Sequence, residues 1–201
     1  MNNHKELYKE ILSNKYVKYG EDVDICIKGN ENKLTVFFLG SNSKTDWENN
    51  FRFWTKLYKK QISPMLVHKG FARAYRSCKD DLMESIKLFA NGNNLDINNL
   101  EVVFTGHSFG GAMALLAAED FAFRFNVKPT VITFGAPKVF FGRKAVKYIK
   151  SCYKSVLQYA HRSDIVTKVP PFYHHINIYK TGEFKFFGLF NPEKYHLSYD
   201  K

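Results

Sequence analysis

Thr105-Gly106-His107-Ser108-Phe109-Gly110-Gly111 is the stretch that decides how this chain folds. It follows the β-branched and aromatic run Val102-Val103-Phe104 and opens a long apolar stretch from Ala112 to Phe125. The pattern is G-x-S-x-G, in which a strand runs into a serine on a strained turn and a helix leaves at once. The hydroxyl then stands at the strand's end, ready to react. The turn crowds strand against helix, so glycines stand two residues before the serine and two after it. Five residues alone also describe a glycine-rich turn between a buried strand and a buried helix. The flanks agree with the sharper reading, since Ala112, Met113, Ala114, Leu115, Leu116, Ala117, Ala118 and Glu119 are helix formers. Ser108 is therefore a candidate nucleophile on an elbow.

Outward from the elbow, strands and helices alternate. Upstream, His4 to Leu12 can form a short amphipathic helix with Leu7, Ile11 and Leu12 on one side. Val23 to Ile27 alternates as a half-exposed strand, Lys28 to Asn32 reads as a turn, and Leu34 to Leu39 as a buried strand. A helix is expected from about Ala72 to Phe89, where Phe71, Ala74, Tyr75, Cys78, Leu82, Ile86 and Phe89 recur at three- and four-residue spacing. Downstream come a strand Thr130–Phe134 stopped by Gly135-Ala136-Pro137, a helix near Arg143–Cys152, a strand Ser155–Ala160 and a strand Ile176–Tyr179. An aromatic stretch, Phe184–Phe190, follows. Alternation of this kind predicts an α/β fold, a mostly parallel sheet with helices on both faces. Such sheets carry their chemistry at the carboxyl ends of the strands.

At 201 residues, 45% of them hydrophobic, the chain is expected to be one domain with a sizeable core. No apolar run reaches the roughly 18–20 residues that cross a bilayer, and Met1 to Glu6 lacks the apolar core of a secretory signal. Cys26, Cys78 and Cys152 are odd in number and far apart, which suits reduced thiols and neither a disulfide frame nor a zinc site. The expectation is an intracellular, cytoplasmic protein without metal or cofactor. A formal charge of +11 is scattered, with no tight basic run and no nucleic-acid motif, so nucleic acid is not an expected partner. Solubility explains that charge, and so does attraction to an anionic membrane surface.

A serine hydroxyl needs a base to take its proton, and the base needs an orienting carboxylate. With a strand-to-helix elbow the partners follow the serine as acid, then histidine. Of the downstream carboxylates, Glu119 and Asp120 ride on the helix leaving the serine, whereas Asp164 stands in the loop after a buried strand. Asp164 is the candidate acid. His161 precedes it, His174 and His175 are adjacent at the start of a strand, and His196 lies in a late loop; order and position favour His196. The oxyanion needs donors, one from the N–H of Phe109 and one from the loop after the early strand, where Ser41 stands.

Between that loop and the first long helix, Trp47, Phe51 and Trp54, with Phe53, Leu57 and Tyr58, interleave with Asp46, Glu48, Arg52, Lys56, Lys59 and Lys60. Such a segment covers an apolar surface, either as a helix packed permanently on the core or as a lid that moves. The candidate lid spans about residues 43–60.

Together these residues resemble the class 3, or fungal-type, lipase family of the α/β-hydrolase superfamily. The motifs are Gly106-His107-Ser108-Phe109-Gly110-Gly111-Ala112, Phe38-Leu39-Gly40-Ser41 before Asp46-Trp47, and Val67-His68-Lys69-Gly70-Phe71. Thr133-Phe134-Gly135-Ala136-Pro137, Asp164-Ile165-Val166 with Pro170, and the late His196 complete the set, which runs from about Leu34 to Tyr199. The resemblance implies an α/β-hydrolase fold, a triad of Ser108, Asp164 and His196, an oxyanion residue at Ser41, and a lid within about Ser43–Phe53. Two departures stand out. Leu39 occupies a position where the family commonly has arginine, and the span between Asp164 and His196 is short.

Two functions follow. The first is a serine hydrolase cleaving carboxylic esters of lipids, acylglycerol or phospholipid, through an acyl-enzyme, with a soluble-ester esterase as its variant. The second, resting on Leu39 and the shortened tail, is a non-catalytic lipase-like module that binds a lipid or a protein.

Overall fold

The computed structural model describes residues 3–21, 23–40, 57–59, 66–183 and 192–199. The central sheet has seven strands: β1 (Val17–Tyr19), β2 (Val23–Asn30), β3 (Lys33–Phe38), β6 (Glu101–His107), β7 (Thr130–Phe134), β9 (Ser155–His161) and β11 (Ile178–Thr181). They lie side by side in that order. β1, β2 and β3 are antiparallel, and every pairing from β3 to β11 is parallel. The mostly parallel α/β sheet expected from the alternation is the observed one.

The pleat divides the apolar residues between two faces. On β3, Leu34, Val36 and Phe38 point into one core while Phe37 points into the other. The larger core is closed by helices α2 (Lys69–Gly92), α3 (Phe109–Phe125) and α4 (Arg143–Cys152). The smaller one lies under helix α1 (Asn3–Ser13) and the chain's tail, and joins Tyr8, Ile11, Phe37, Phe134, Tyr159 and Tyr199. Among the described residues no helix is long and apolar enough to cross a membrane.

A second, four-stranded sheet of very short strands was not legible beforehand. It runs β10 (Tyr173–His174), β8 (Phe140–Phe141), β5 (Leu66–His68), β4 (Leu57–Lys59). Two- and three-residue strands are too short to show a period. Some boundaries also move. The expected turn at Lys28–Asn32 shrinks to Glu31-Asn32, because Lys28, Gly29 and Asn30 still pair with Thr35, Leu34 and Lys33, and Glu31 takes the left-handed φ of 51° that a tight hairpin demands. The helix expected from Ala72 begins at Lys69 and ends at Gly92. The last strand starts at Ile178 instead of Ile176, since the N–H of Ile176 is taken by the Gln158 side chain.

The α3 helix reaches the sheet at Gly110, where a Cβ would lie 2.2 Å from the carbonyl oxygen of Phe38 and 2.6 Å from that of Leu39. No side chain fits there. Gly92, by contrast, ends α2 with open space around it. Gly110→Ala is therefore expected to destabilise by about 3 kcal/mol or more through overpacking against main chain. Gly92→Ala is expected to stabilise by roughly 0.5 kcal/mol through helix propensity. Urea unfolding of the two variants checks both signs.

Candidate active site

Ser108 sits at φ 55°, ψ −123°, a conformation non-glycine residues rarely adopt. Its N–H donates to the carbonyl of Phe134 on the neighbouring strand (2.9 Å), and its own carbonyl accepts from Gly111 (3.0 Å) and Ala112 (3.3 Å). Those bonds hold the strain in place. A Cβ at Gly106 would be 2.5 Å from the main chain of Gly110, so the serine's flanking glycines are required by contact. Phe109 opens α3, and its N–H is one of those a helix cannot satisfy within itself. It is the donor expected for an oxyanion beside Ser108.

Asp164, fully buried, lies just past the end of β9, as its sequence position suggested. Its Oδ1 accepts from the N–H of Val166 (2.9 Å). Its Oδ2 accepts from His196 Nδ1 (2.9 Å) and from the hydroxyl of Tyr199 (2.7 Å). The loop is pinned further by the Asp164 N–H to the His161 carbonyl (2.9 Å) and the Thr167 hydroxyl to the Asp164 carbonyl (2.9 Å). Thr167 is bonded in turn through its carbonyl by His175 Nε2 (2.7 Å).

His196 ends a short helix, α5 (Pro192–His196), and is itself buried. A carboxylate accepts but cannot donate, so Nδ1 is the donor, and in the neutral ring Nε2 carries the lone pair. That Nε2 is buried with no hydrogen-bond partner among the described residues. A buried, unpaired acceptor backed by a carboxylate is suited to take a proton.

Three residues that sequence reasoning missed support this pair. His107, next to Ser108, donates through Nε2 to the carbonyl of His196 (2.7 Å), and the two rings lie 4.4 Å apart. Burial, and then the neighbouring His196, push the His107 pKa down from 6.5 to about 3, so it stays neutral. Gly135, at the end of β7, has φ +59°; a Cβ there would meet His196 Cε1 and Nδ1 at 3.0 Å and Asp164 Oδ2 at 3.1 Å. The signal for Gly135 was present as the glycine that stops a buried strand. Nothing marked Tyr199, which acts through a fold-dependent contact.

The other candidates lie elsewhere. Asp120 accepts from Tyr75 (2.7 Å) and Arg124 (3.1 Å). His161 accepts from the N–H of Ser163 (3.1 Å), and His175 braces Thr167 and accepts from Gln158 (3.0 Å). Ser41, Trp47, Phe51 and Trp54, with most of the lid segment, lie outside the described residues. The residue before Ser41 is described: a Cβ on Gly40 would stand 3.1 Å from the His107 carbonyl and 3.6 Å from Ser108 Cβ, so β3 ends beside the elbow. Leu39 donates its N–H to the Asp24 carbonyl (3.1 Å), a main-chain support that needs no arginine. Among the described residues no group of three His, Cys, Asp or Glu is placed to hold a metal ion.

The model of the class 3 lipase family matches residues 35–174 of this chain. A putative lipase of Saccharomyces cerevisiae, LIH1, is 27% identical over 175 residues, 70% of this chain and 52% of that protein. The chloroplastic phospholipase A(1) DAD1 of Arabidopsis thaliana is 29% identical over 172 residues, 77% of this chain and 37% of that protein. The chain thus spans about half the length of these relatives, or less. A solved structure of Rhizomucor miehei triacylglyceride lipase superposes with a TM-score of 0.70 at 24% identity, over 83% of this chain and 66% of that one, which shows the α/β-hydrolase fold.

The depressed His107 gives a pH dependence. Below about pH 6.5 the unfolded chain binds a proton that the folded one refuses until about pH 3. Stability is therefore full above 6.5 and falls as pH drops through that window, by up to about 1.4 kcal/mol per unit. His175, lowered mainly by burial, adds to the same slope. His107→Gln keeps a donor for the His196 carbonyl and loses the titration. Chemical unfolding at pH 7, 6, 5 and 4 is expected to show a shallower acid loss in the variant; an unchanged slope would contradict the assignment.

Proposed function

The chain belongs to the class 3 lipase family, and from that premise we propose that it is a serine hydrolase acting on the carboxylic esters of lipids through an acyl-enzyme. The observation that carries the proposal is the His196–Asp164 bond with His196 Nε2 unpaired, tied through His107 to the elbow serine. In this reading the whole chain, 1–201, acts as one hydrolase domain.

The chemistry follows from the roles. Ser108 Oγ attacks the ester carbonyl carbon as its proton passes to His196 Nε2. The C=O π pair moves onto oxygen, where the N–H groups of Phe109 and Ser41 are the proposed donors. Asp164 holds the imidazole tautomer and stabilises the imidazolium. Collapse of the tetrahedral intermediate breaks the C–O bond, and His196 returns its proton to the departing alkoxide, leaving an acyl-serine. Water, deprotonated by the same nitrogen, then repeats the sequence and releases the fatty acid.

Lipid esters fit the surroundings. Phe109 continues into an aromatic run through Phe71 (6.1 Å), His68 (4.6 Å further) and Tyr173 (6.1 Å further), a mostly buried ring series from the residue after the nucleophile to the second sheet. Leu197, directly after the base, is 55% exposed, and Phe172 is 78% exposed. With a net charge of +11, these apolar points suit docking on an anionic lipid surface. Trp47, Phe51 and Trp54 are proposed to cover the site as a lid. All three cysteines are free, which supports a reducing, intracellular setting.

A fluorophosphonate is expected to label the wild type one to one and to leave Ser108→Ala unlabelled. Hydrolysis of p-nitrophenyl esters and of phospholipid is expected to fall at least about 10⁴-fold in that variant. A wild type that neither labels nor exceeds background would leave the non-catalytic binding module as the better reading. Activity on dissolved esters that does not rise when substrate forms an interface would select the soluble-ester esterase. Vesicles of phosphatidylcholine with phosphatidylglycerol are expected to sediment the protein at low salt and release it at high salt; equal binding to pure phosphatidylcholine would remove the electrostatic part of the proposal.

A further inference from the structure

Helix α1 is remote from the elbow in sequence, yet its buried face sits behind the candidate triad. Tyr8 and Ile11 are fully buried, and they belong to the smaller core and not to the larger one. Among the described residues the Tyr8 ring meets His107 at 5.5 Å and 72°, Phe134 at 5.2 Å and 50°, and Tyr199 at 5.6 Å and 63°.

Each of those neighbours is bonded to a different member of the triad. His107 Nε2 holds the carbonyl of His196 at 2.7 Å. The Phe134 carbonyl holds the N–H of Ser108 at 2.9 Å. The Tyr199 hydroxyl holds Asp164 Oδ2 at 2.7 Å. One ring thus touches the backstop of the base, of the nucleophile and of the acid. One turn earlier, His4 stacks on Tyr159 (4.7 Å, 15°), which stacks on Phe134 (5.1 Å, 8°), so the helix is seated on the same aromatic group by a second contact.

We propose that Tyr8 is a positioning residue for catalysis, a single buttress that fixes Ser108, Asp164 and His196 relative to one another. The proposal rests on the triad reading above. Tilted and edge-to-face ring contacts fix the relative orientation of their partners as well as burying area. Removing the ring leaves three backstops free to settle separately into the void. A displacement of about 1 Å in reacting groups costs on the order of 10²-fold in rate. The helix therefore contributes to turnover without touching substrate, and the loss is expected in kcat while KM holds.

The test compares Tyr8→Ala, Tyr8→Leu, Tyr8→Phe and Phe121→Ala with wild type. Phe121 is equally buried, but in the larger core, against Phe104 and Phe125. Rates of fluorophosphonate labelling and of ester hydrolysis are read per folded molecule, with folding scored by near-ultraviolet circular dichroism. Tyr8→Ala is expected to lower both rates about 10²-fold with KM within about twofold, and Tyr8→Phe to keep most of the rate. Phe121→Ala is expected to lose stability while its folded fraction labels at close to the wild-type rate. Tyr8→Leu, which fills much of the space without ring edges, gives the answer if the alanine variant does not fold; it is expected to fall between Tyr8→Ala and Tyr8→Phe. Wild-type rates in the folded Tyr8→Leu or Tyr8→Ala protein, or an equal loss in Phe121→Ala, would overturn the positioning role. Failure of the wild type to label at all would instead overturn the triad reading itself.

Discussion

The main-chain contact between α3 and the end of β3 is the constraint on which the rest depends. Gly110 packs on the Phe38 and Leu39 carbonyls so closely that no side chain is tolerated. That contact forces the helix to leave β6 at once and puts Ser108 at a positive φ. Holding a serine there costs on the order of 1–3 kcal/mol, which the surrounding structure must offset. It does so through the Phe134 carbonyl and by burying α3 almost all round, from Gly110 to Phe121. Two carboxylates on that helix are drawn into the core as a consequence. Asp120 is paired there by Arg124 and Tyr75, and Arg124 reaches on to Asp80 (2.7 Å).

The two faces of the sheet do different work. The larger core, under α2, α3 and α4, secures the elbow and is built of aliphatic residues and alanines packed on Phe104, Phe121 and Phe140. The smaller core is mostly aromatic and joins parts of the chain far apart in sequence: α1, the ends of β3, β7 and β9, and the tail at Tyr199. Aliphatic packing stabilises without fixing orientation closely, whereas ring pairs have preferred angles. It is the aromatic face that backs Asp164 and His196.

Local features were legible and non-local ones were not. The elbow could be read because strand, turn and helix are contiguous, and their residue types are dictated by contacts within a few positions. The place of Asp164 in the fold could be read because the loop after a buried strand is recognisable in one dimension. His196 needed chain order to separate it from His161, His174 and His175, since a histidine's neighbours in sequence say little about its neighbours in space. His107, Gly135 and Tyr199 escaped for that reason: each matters through a partner about 30 to 90 positions away. Helix α1 was readable as an amphipathic helix, but the surface that its apolar side covers was not. The second sheet escaped for another reason, because its strands are shorter than any period that could reveal them.

The tail shows how a short segment can carry a demanding geometry. Between Asp164 and His196 the described elements are all short, and α5 has only five residues. A helix that short has little stability of its own. His196 is therefore placed by hydrogen bonds to distant parts of the chain. His196 Nδ1 finds Asp164, its carbonyl is caught by His107, and three residues on Tyr199 bonds the same carboxylate oxygen while accepting from the His161 N–H (2.9 Å). His196 and Tyr199 thus meet Asp164 as a pair, and the carboxylate, taken wholly out of water, is satisfied by three donors among the described residues. A buried carboxylate left short of donors is costly, so the same bonds that order the tail also satisfy Asp164. Order in the tail and satisfaction of Asp164 are one condition, and the aromatic face behind them is what lets so short a segment meet it.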